Sequence, residues 1–216
     1  MHLVVKKSIV IGVKMFGKQD ILIVCALEIE TRGHLEGYNV LYTGVGKINA
    51  TFGLSNYLSI CDKTTLPKLV INYGTAGSRD LSIGELVDCK KFIQRDMDAT
   101  QFGFDRGQTP YEDDVPIMLE FQNVDFNPVN KHYRGWGFIC GSGDNFVDNI
   151  ENEIDSIEVF DMEAYALAKV SWLYEIPFIS FKYITDNVDE SAPENWEQNL
   201  SDGFDKFKKV VLERLT

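Results

Sequence analysis

Two acids stand one residue apart in VFDMEAYALAKV (159–170): Asp161 and Glu163, at the mouth of a small, apolar, helix-favouring run. Acids suit the positive end of a helix dipole, which accounts well for Asp161 and tolerably for Glu163. Further polar groups stand at comparable places. Glu28 and Glu30 follow ILIVCA (21–26), Thr75 follows VINYG (70–74), Asp144 follows FICGSG (138–143), and Asp186 closes FISFKYITD (178–186). A carboxyl group can give or take a proton near neutral pH once burial or a neighbouring charge moves its pKa. The sequence has only three histidines, His2, His34 and His132, so acid–base work falls to carboxylates.

The runs that precede these groups read as strands. ILIVCA is short and continuously apolar, the mark of a strand buried on both faces. NVLYTG (39–44) and KLVINYG (68–74) look alike, and each ends at a glycine; ELVDCKKFI (85–93), GWGFICG (135–141) and PFISFKYIT (177–185) are further strands. KINATFGLSNYLSI (47–60) has helical spacing. MEAYALAKVSWLY (162–174), rich in Ala and Leu with Met162, Ala166 and Val170 on one face, predicts a buried helix. Trp196, Leu200, Phe204, Phe207, Val211 and Leu215 share one stripe and predict a single amphipathic helix. Strands alternating with helices point to an α/β sheet with helices on both faces. Ligands of such sheets sit beyond the carboxyl ends of the strands, where the polar groups above converge. Between about residues 95 and 131, Gly, Pro, Asp and aromatic residues occur without periodicity, which predicts a long excursion over the surface of the kind that is usually functional. No repeat or linker divides the sequence, so one domain is expected over residues 1–216.

Hydrophobic residues make up 44% and charged ones 25%, ordinary for a globular protein. No apolar run is long enough for a membrane-spanning helix. The opening MHLVVKKSIVIGVKMFGK is basic and apolar, but its core IVIGV is five residues long, runs into Lys14 and lacks a small-residue cleavage site. It reads as a strand and not as a signal peptide. A formal net charge of −12 argues against nucleic acid, whose binding draws on clustered cations; the lysine pairs 6–7, 90–91 and 208–209 are not a patch. Cys25, Cys61, Cys89 and Cys140 show no CxxC spacing and read as reduced core thiols of a cytoplasmic protein. The expected ligand is small and neutral or cationic.

Six segments, collinear from about Ile21 onward, carry a family resemblance: GVGKINA (44–50), VINYGTAGS (70–78), DMDATQFGFDRGQTP (96–110), GSGDNFV (141–147), DMEAYALAKV (161–170) and YITDNVD (183–189). They resemble the purine nucleoside phosphorylase superfamily, and within it the bacterial 5'-methylthioadenosine/S-adenosylhomocysteine nucleosidases. Residues 1–20 lie outside the resemblance. It implies a three-layer α/β/α fold around a mixed, partly barrel-like twisted sheet, and hydrolysis of the bond between adenine and a 5'-thio-substituted ribose, with neither cofactor nor metal.

The resemblance also implies roles. Asp186, in the family's Ser/Thr-Asp position with Thr185, would protonate the purine. Glu163 would hold the ribose hydroxyls of an oxocarbenium-like sugar, with Met162 packed beneath it. Glu30 would activate the attacking water, Glu28 being the fallback, and Thr75, beside Ala76, would position that water. Phe146 would stack on the purine, core packing being the plainer reading, and the Val147 backbone would read the base's edge. The family's nucleosidases are homodimers, so Ala99 and Phe102 would reach the 5' substituent from the neighbouring subunit; otherwise Phe102 anchors its own. Phosphorylases of the superfamily carry a phosphate-gripping Arg where Asn72 stands, which favours water as nucleophile; Arg32 is the nearby cation that could serve instead. The family often has Glu where Asp161 stands, Ala or Gly where Tyr165 stands, and an Arg near Lys182, departures expected on the pocket rim. Close relatives hydrolyse futalosine or other purine nucleosides. A phosphate-dependent phosphorylase and a non-catalytic nucleoside-binding protein are the alternatives.

Overall fold

The computed structural model describes residues 11–12, 16–121, 124–125, 137–151, 153–189, 191–200 and 202–215. Strand β1 (Ile11–Gly12) forms a short parallel pair with Val124–Asp125; the rest of the strand expected near the start lies outside the described residues. Strand β2 (Ile21–Cys25) is fully buried because it serves two cores. Successive side chains of a strand point to opposite faces. Leu22 and Val24 join Leu54, Val70, Phe92, Leu167 and Phe178 on one face. Ile21, Ile23 and Cys25 join Ile71, Tyr73, Phe181 and Phe207 on the other.

The chain continues through β3 (Asn39–Tyr42), α1 (Lys47–Ser59), β4 (Leu69–Ser78), β5 (Leu86–Gln94), β6 (Met118–Glu120), β7 (Val124–Asp125), β8 (Phe138–Ser142), β9 (Val159–Asp161), α2 (Ala164–Leu173) and β10 (Phe178–Asp186). Two helices, α3 (Ala192–Asn199) and α4 (Phe204–Val210), complete it. Strands β10, β5, β8, β9 and β4 pair in that order, and β10 pairs β4 again, so five strands close a mixed barrel. Strands β2 and β3 extend the sheet beyond β4, and β6 flanks β5. Helices α1 and α2 cover one core, and Phe204 and Phe207 of α4 seal the other. The layered α/β/α expectation therefore holds.

Three expectations need correction. The strand from KLVINYG does not stop at its glycine but runs on to Ser78, pairing with β10 along its length. Met162 precedes α2 instead of belonging to its buried face. The C-terminal stripe is carried by two helices, because a turn from Asn199 to Asp202 interrupts it.

Candidate active site

The carboxyl ends of β2, β4 and β10 and the start of α2 surround one cavity, lined by Glu30, Thr75, Ala76, Phe146, Val147, Met162, Glu163 and Asp186 among others. Its floor rests on an ion pair, of which Asp161 lines the cavity and Lys182 stands behind it. Asp161, the last residue of β9, lies 2.7 Å from Lys182 Nζ in the middle of β10, and both side chains are 1% exposed. Asp161 also accepts from the Ser142 hydroxyl and, at 2.8 Å, from the Ala164 N–H that opens α2. Burial pushes this carboxyl up, but Lys182, Ser142 and Ala164 together outweigh it and hold it below the ordinary range. Burial likewise disfavours the Lys182 charge, and Asp161 more than restores it. Asp161 is thus both the helix cap that its sequence position suggests and the counter-ion of a buried lysine.

Glu163 has another environment. It stands at the N-cap of α2, yet its side chain makes no cap bond to that helix. It turns across the cavity and accepts from the Gly46 N–H, 2.7 Å away at the start of α1. Burial and the Asp161 charge push its pKa up to about 7, and Lys182 only partly offsets them. Glu30 ends a 3₁₀ turn after β2. Its two oxygens accept from Leu27 N–H at 2.9 Å and Thr75 N–H at 3.0 Å, and burial leaves its pKa raised. Asp186 closes β10, accepts from Thr185 Oγ1 at 2.9 Å and Val188 N–H at 3.2 Å, and is also raised by burial. Gly77 makes room for it: a Cβ there would stand 2.4 Å from Asp186 Oδ1. Three acids with raised pKa values around one cavity can give, take and hold a proton.

Several named residues lie elsewhere. Thr185 is fully buried behind Asp186, bonding its carboxylate instead of lining the cavity. Glu28 is exposed, outside the cavity wall. Asp144 accepts from the Lys47 N–H at 2.8 Å and belongs to an exposed Lys47–Asp96 network at the start of α1. Arg32 faces Asp202 and Asp205. Asn72 is spent inside the sheet, donating to Val24 O and accepting from Ser180 Oγ. Phe102 is 74% exposed, which removes the reading of an anchor within its own subunit, whereas Ala99 is buried. Phe146 is 40% exposed and so is not a core residue. Of the three residues expected on the rim, Asp161 lies in the floor, Lys182 is buried behind it, and Tyr165 packs in the core.

The family model described as the phosphorylase superfamily matches residues 31–216. This chain belongs to that superfamily. A 5'-methylthioadenosine/S-adenosylhomocysteine nucleosidase of Glaesserella parasuis is 31% identical over 193 residues, spanning 82% of this chain and 79% of the relative. The structure of the corresponding nucleosidase from S. pneumoniae with a transition-state inhibitor superposes with a TM-score of 0.75 at 20% identity, covering 90% of this chain and 97% of that one. Futalosine hydrolase of Helicobacter pylori superposes with a TM-score of 0.71 at 20% identity, over 90% and 97% of the two chains. Among superfamily members, this chain is therefore a purine N-glycosidase relative with the nucleosidase fold.

Reading the superfamily motifs alone overlooks part of the wall. Arg95, 2% exposed, lines the cavity with its guanidinium held by Asn145 and by Glu153 at 2.9 Å. Trp196 of α3 also lines it and meets Phe146 edge to face, ring centroids 6.4 Å apart. Lys182 had a visible signal. A lysine inside an apolar strand must find a counter-charge, since an unpaired buried charge is very costly.

Proposed function

We propose that this protein hydrolyses the N-glycosidic bond of 5'-methylthioadenosine, S-adenosylhomocysteine or a related adenine nucleoside, releasing adenine. The observation that carries this reading is that Glu30, Glu163 and Asp186, far apart in sequence, line one cavity. Asp186, its pKa raised by burial, gives a proton to the purine as the C–N bond breaks and the electron pair leaves with the base. Glu163, ionised as pH passes its pKa of about 7, hydrogen-bonds the ribose hydroxyls and steadies the oxocarbenium-like sugar, with Met162 beneath it. Glu30 takes a proton from the attacking water, which Thr75 helps to place. Thr185 holds Asp186, Phe146 stacks on the base, and the Val147 backbone reads its edge.

Water is favoured over phosphate by the cavity's charge. Arg95 is the cationic residue in the described wall, and its guanidinium is engaged by Glu153. Arg32 is engaged by Asp202 and Asp205. Neither offers the open fork that grips a phosphate. Ile48 and Phe52, 80% and 72% exposed on α1, and Phe102 form apolar surface that supports a homodimer closing the 5' side. Reduced thiols support a cytoplasmic protein; Cys25, Cys89 and Cys140 are buried and unpaired with one another by disulfide.

Incubation with methylthioadenosine, with and without phosphate, tests the reading. Free adenine and a reducing sugar should form at equal rates in both. Dependence on phosphate with formation of a sugar 1-phosphate would establish the phosphorylase instead, and binding without turnover would establish a nucleoside carrier.

A further inference from the structure

Helix α3 follows the strand that carries Asp186 and folds back over the cavity. Its Trp196 Nε1 lies 3.0 Å from Thr75 Oγ1. An indole N–H can only donate. The Thr75 oxygen must therefore accept, which leaves its single hydroxyl proton for another acceptor. Glu30 Oε1 stands 3.4 Å from the same oxygen and already takes the Thr75 backbone N–H at 3.0 Å. The polarity of the chain is thereby fixed: indole to hydroxyl to carboxylate. The indole ring also meets Phe146 edge to face. One turn later Asn199 donates to the Thr185 carbonyl at 3.2 Å, anchoring the same helix beside the acid.

We propose that Trp196 is a positioning residue: through Thr75 it orients Glu30, the carboxylate that activates water. The proposal rests on the role given to Glu30 above. Without the indole, the Thr75 hydroxyl is free to rotate, and Glu30 loses a donor that stabilises its ionised form. The other groups around Glu30 are Lys182 of β10, Glu163 before α2, Cys25 of β2, Tyr73 of β4 and Tyr42 of β3. None of them is altered by changing Trp196.

The test has a part that needs no turnover. The Trp196 indole N–H resonance, identified by its loss in Trp196→Phe among the three tryptophans, should shift with pH as Glu30 titrates. That shift should vanish in Glu30→Gln and in Thr75→Val. A resonance indifferent to Glu30→Gln overturns the relay, whatever substrate the protein takes. Kinetically, Trp196→Phe keeps an aromatic ring and should lower kcat about tenfold, the scale of one hydrogen bond. The acidic limb of its pH profile should move to higher pH, because Glu30 must ionise to act. Thr75→Val should do the same, Thr75→Ser should keep the wild-type limb, and the double variant should be no slower than Thr75→Val alone. A change confined to KM with an unmoved limb would make Trp196 a wall of the substrate pocket only and refute the proposal.

Discussion

The floor and the mouth of the cavity are built on opposite plans. At the floor, Asp161 and Lys182 are sealed from water, and the carboxylate is satisfied by a lysine, a hydroxyl and a helix N–H. At the mouth, Phe146 and Trp196 meet edge to face and remain partly open to solvent. Glu163 stands between the two, buried like the floor but held by a single backbone donor. Charge is fixed where the fold needs it and left titratable where chemistry needs it. The mouth offers apolar area that a ligand can complete.

Four substitutions break or sharpen that contrast. Lys182→Met should be the most damaging, because it strands the Asp161 charge in the core. A buried pair broken in this way costs about 3–5 kcal/mol, readable as a lowered denaturation midpoint; a wild-type midpoint would mean the floor is not an electrostatic unit. Asp186→Asn should leave the fold intact and cut kcat by at least ~10²-fold, about 2.7 kcal/mol, the scale of a positioned general acid. Near-normal turnover would remove Asp186 from the chemistry.

Glu163→Gln gives a stability effect whose sign depends on pH. The folded protein holds a proton on Glu163 up to about pH 7, whereas the unfolded chain releases it near 4.5. Wild-type stability is therefore lost as pH rises through that window, and the loss is complete above it. The variant escapes it, and should be more stable than wild type at pH 8 by on the order of 3 kcal/mol, equal to it at pH 4, and nearly inactive. Denaturant titrations at the two pH values check this; equal stability at pH 8 would show Glu163 to be as well compensated as Asp161. Phe146→Ala should have the smallest effect, raising KM several-fold for about 1 kcal/mol of lost stacking with stability unchanged. A large loss of stability would turn the mouth into core.

Much of the fold is legible in the sequence for a simple reason. A strand serving two cores must be apolar at every position, and Ile21–Cys25 reads that way directly. The end of β4 was not legible, because Gly74 and Gly77 look like a stop although they let Glu30 and Asp186 approach the backbone. The C-terminal stripe misled for a related reason. The apolar spacing runs on in the sequence from Trp196 to Leu215, so periodicity does not register the break between Asn199 and Phe204. Glu30, Glu163 and Asp186 were legible as acids placed after strands. The Trp196 bond to Thr75 was not, since the spacing of that tryptophan suits packing equally well.

The irregular step in β10 has an evolutionary consequence. Pairing with β4 runs Tyr183 to Thr75 and Ile184 to Ala76, then skips Thr185 and sets Asp186 against Gly77. In a closed ring no edge strand can slide to absorb an insertion. A one-residue indel inside either strand would rotate Asp186 away from its partners even with every residue type retained. Lineages of this enzyme should therefore accumulate length variation in their loops, while the residue count along these two strands stays frozen.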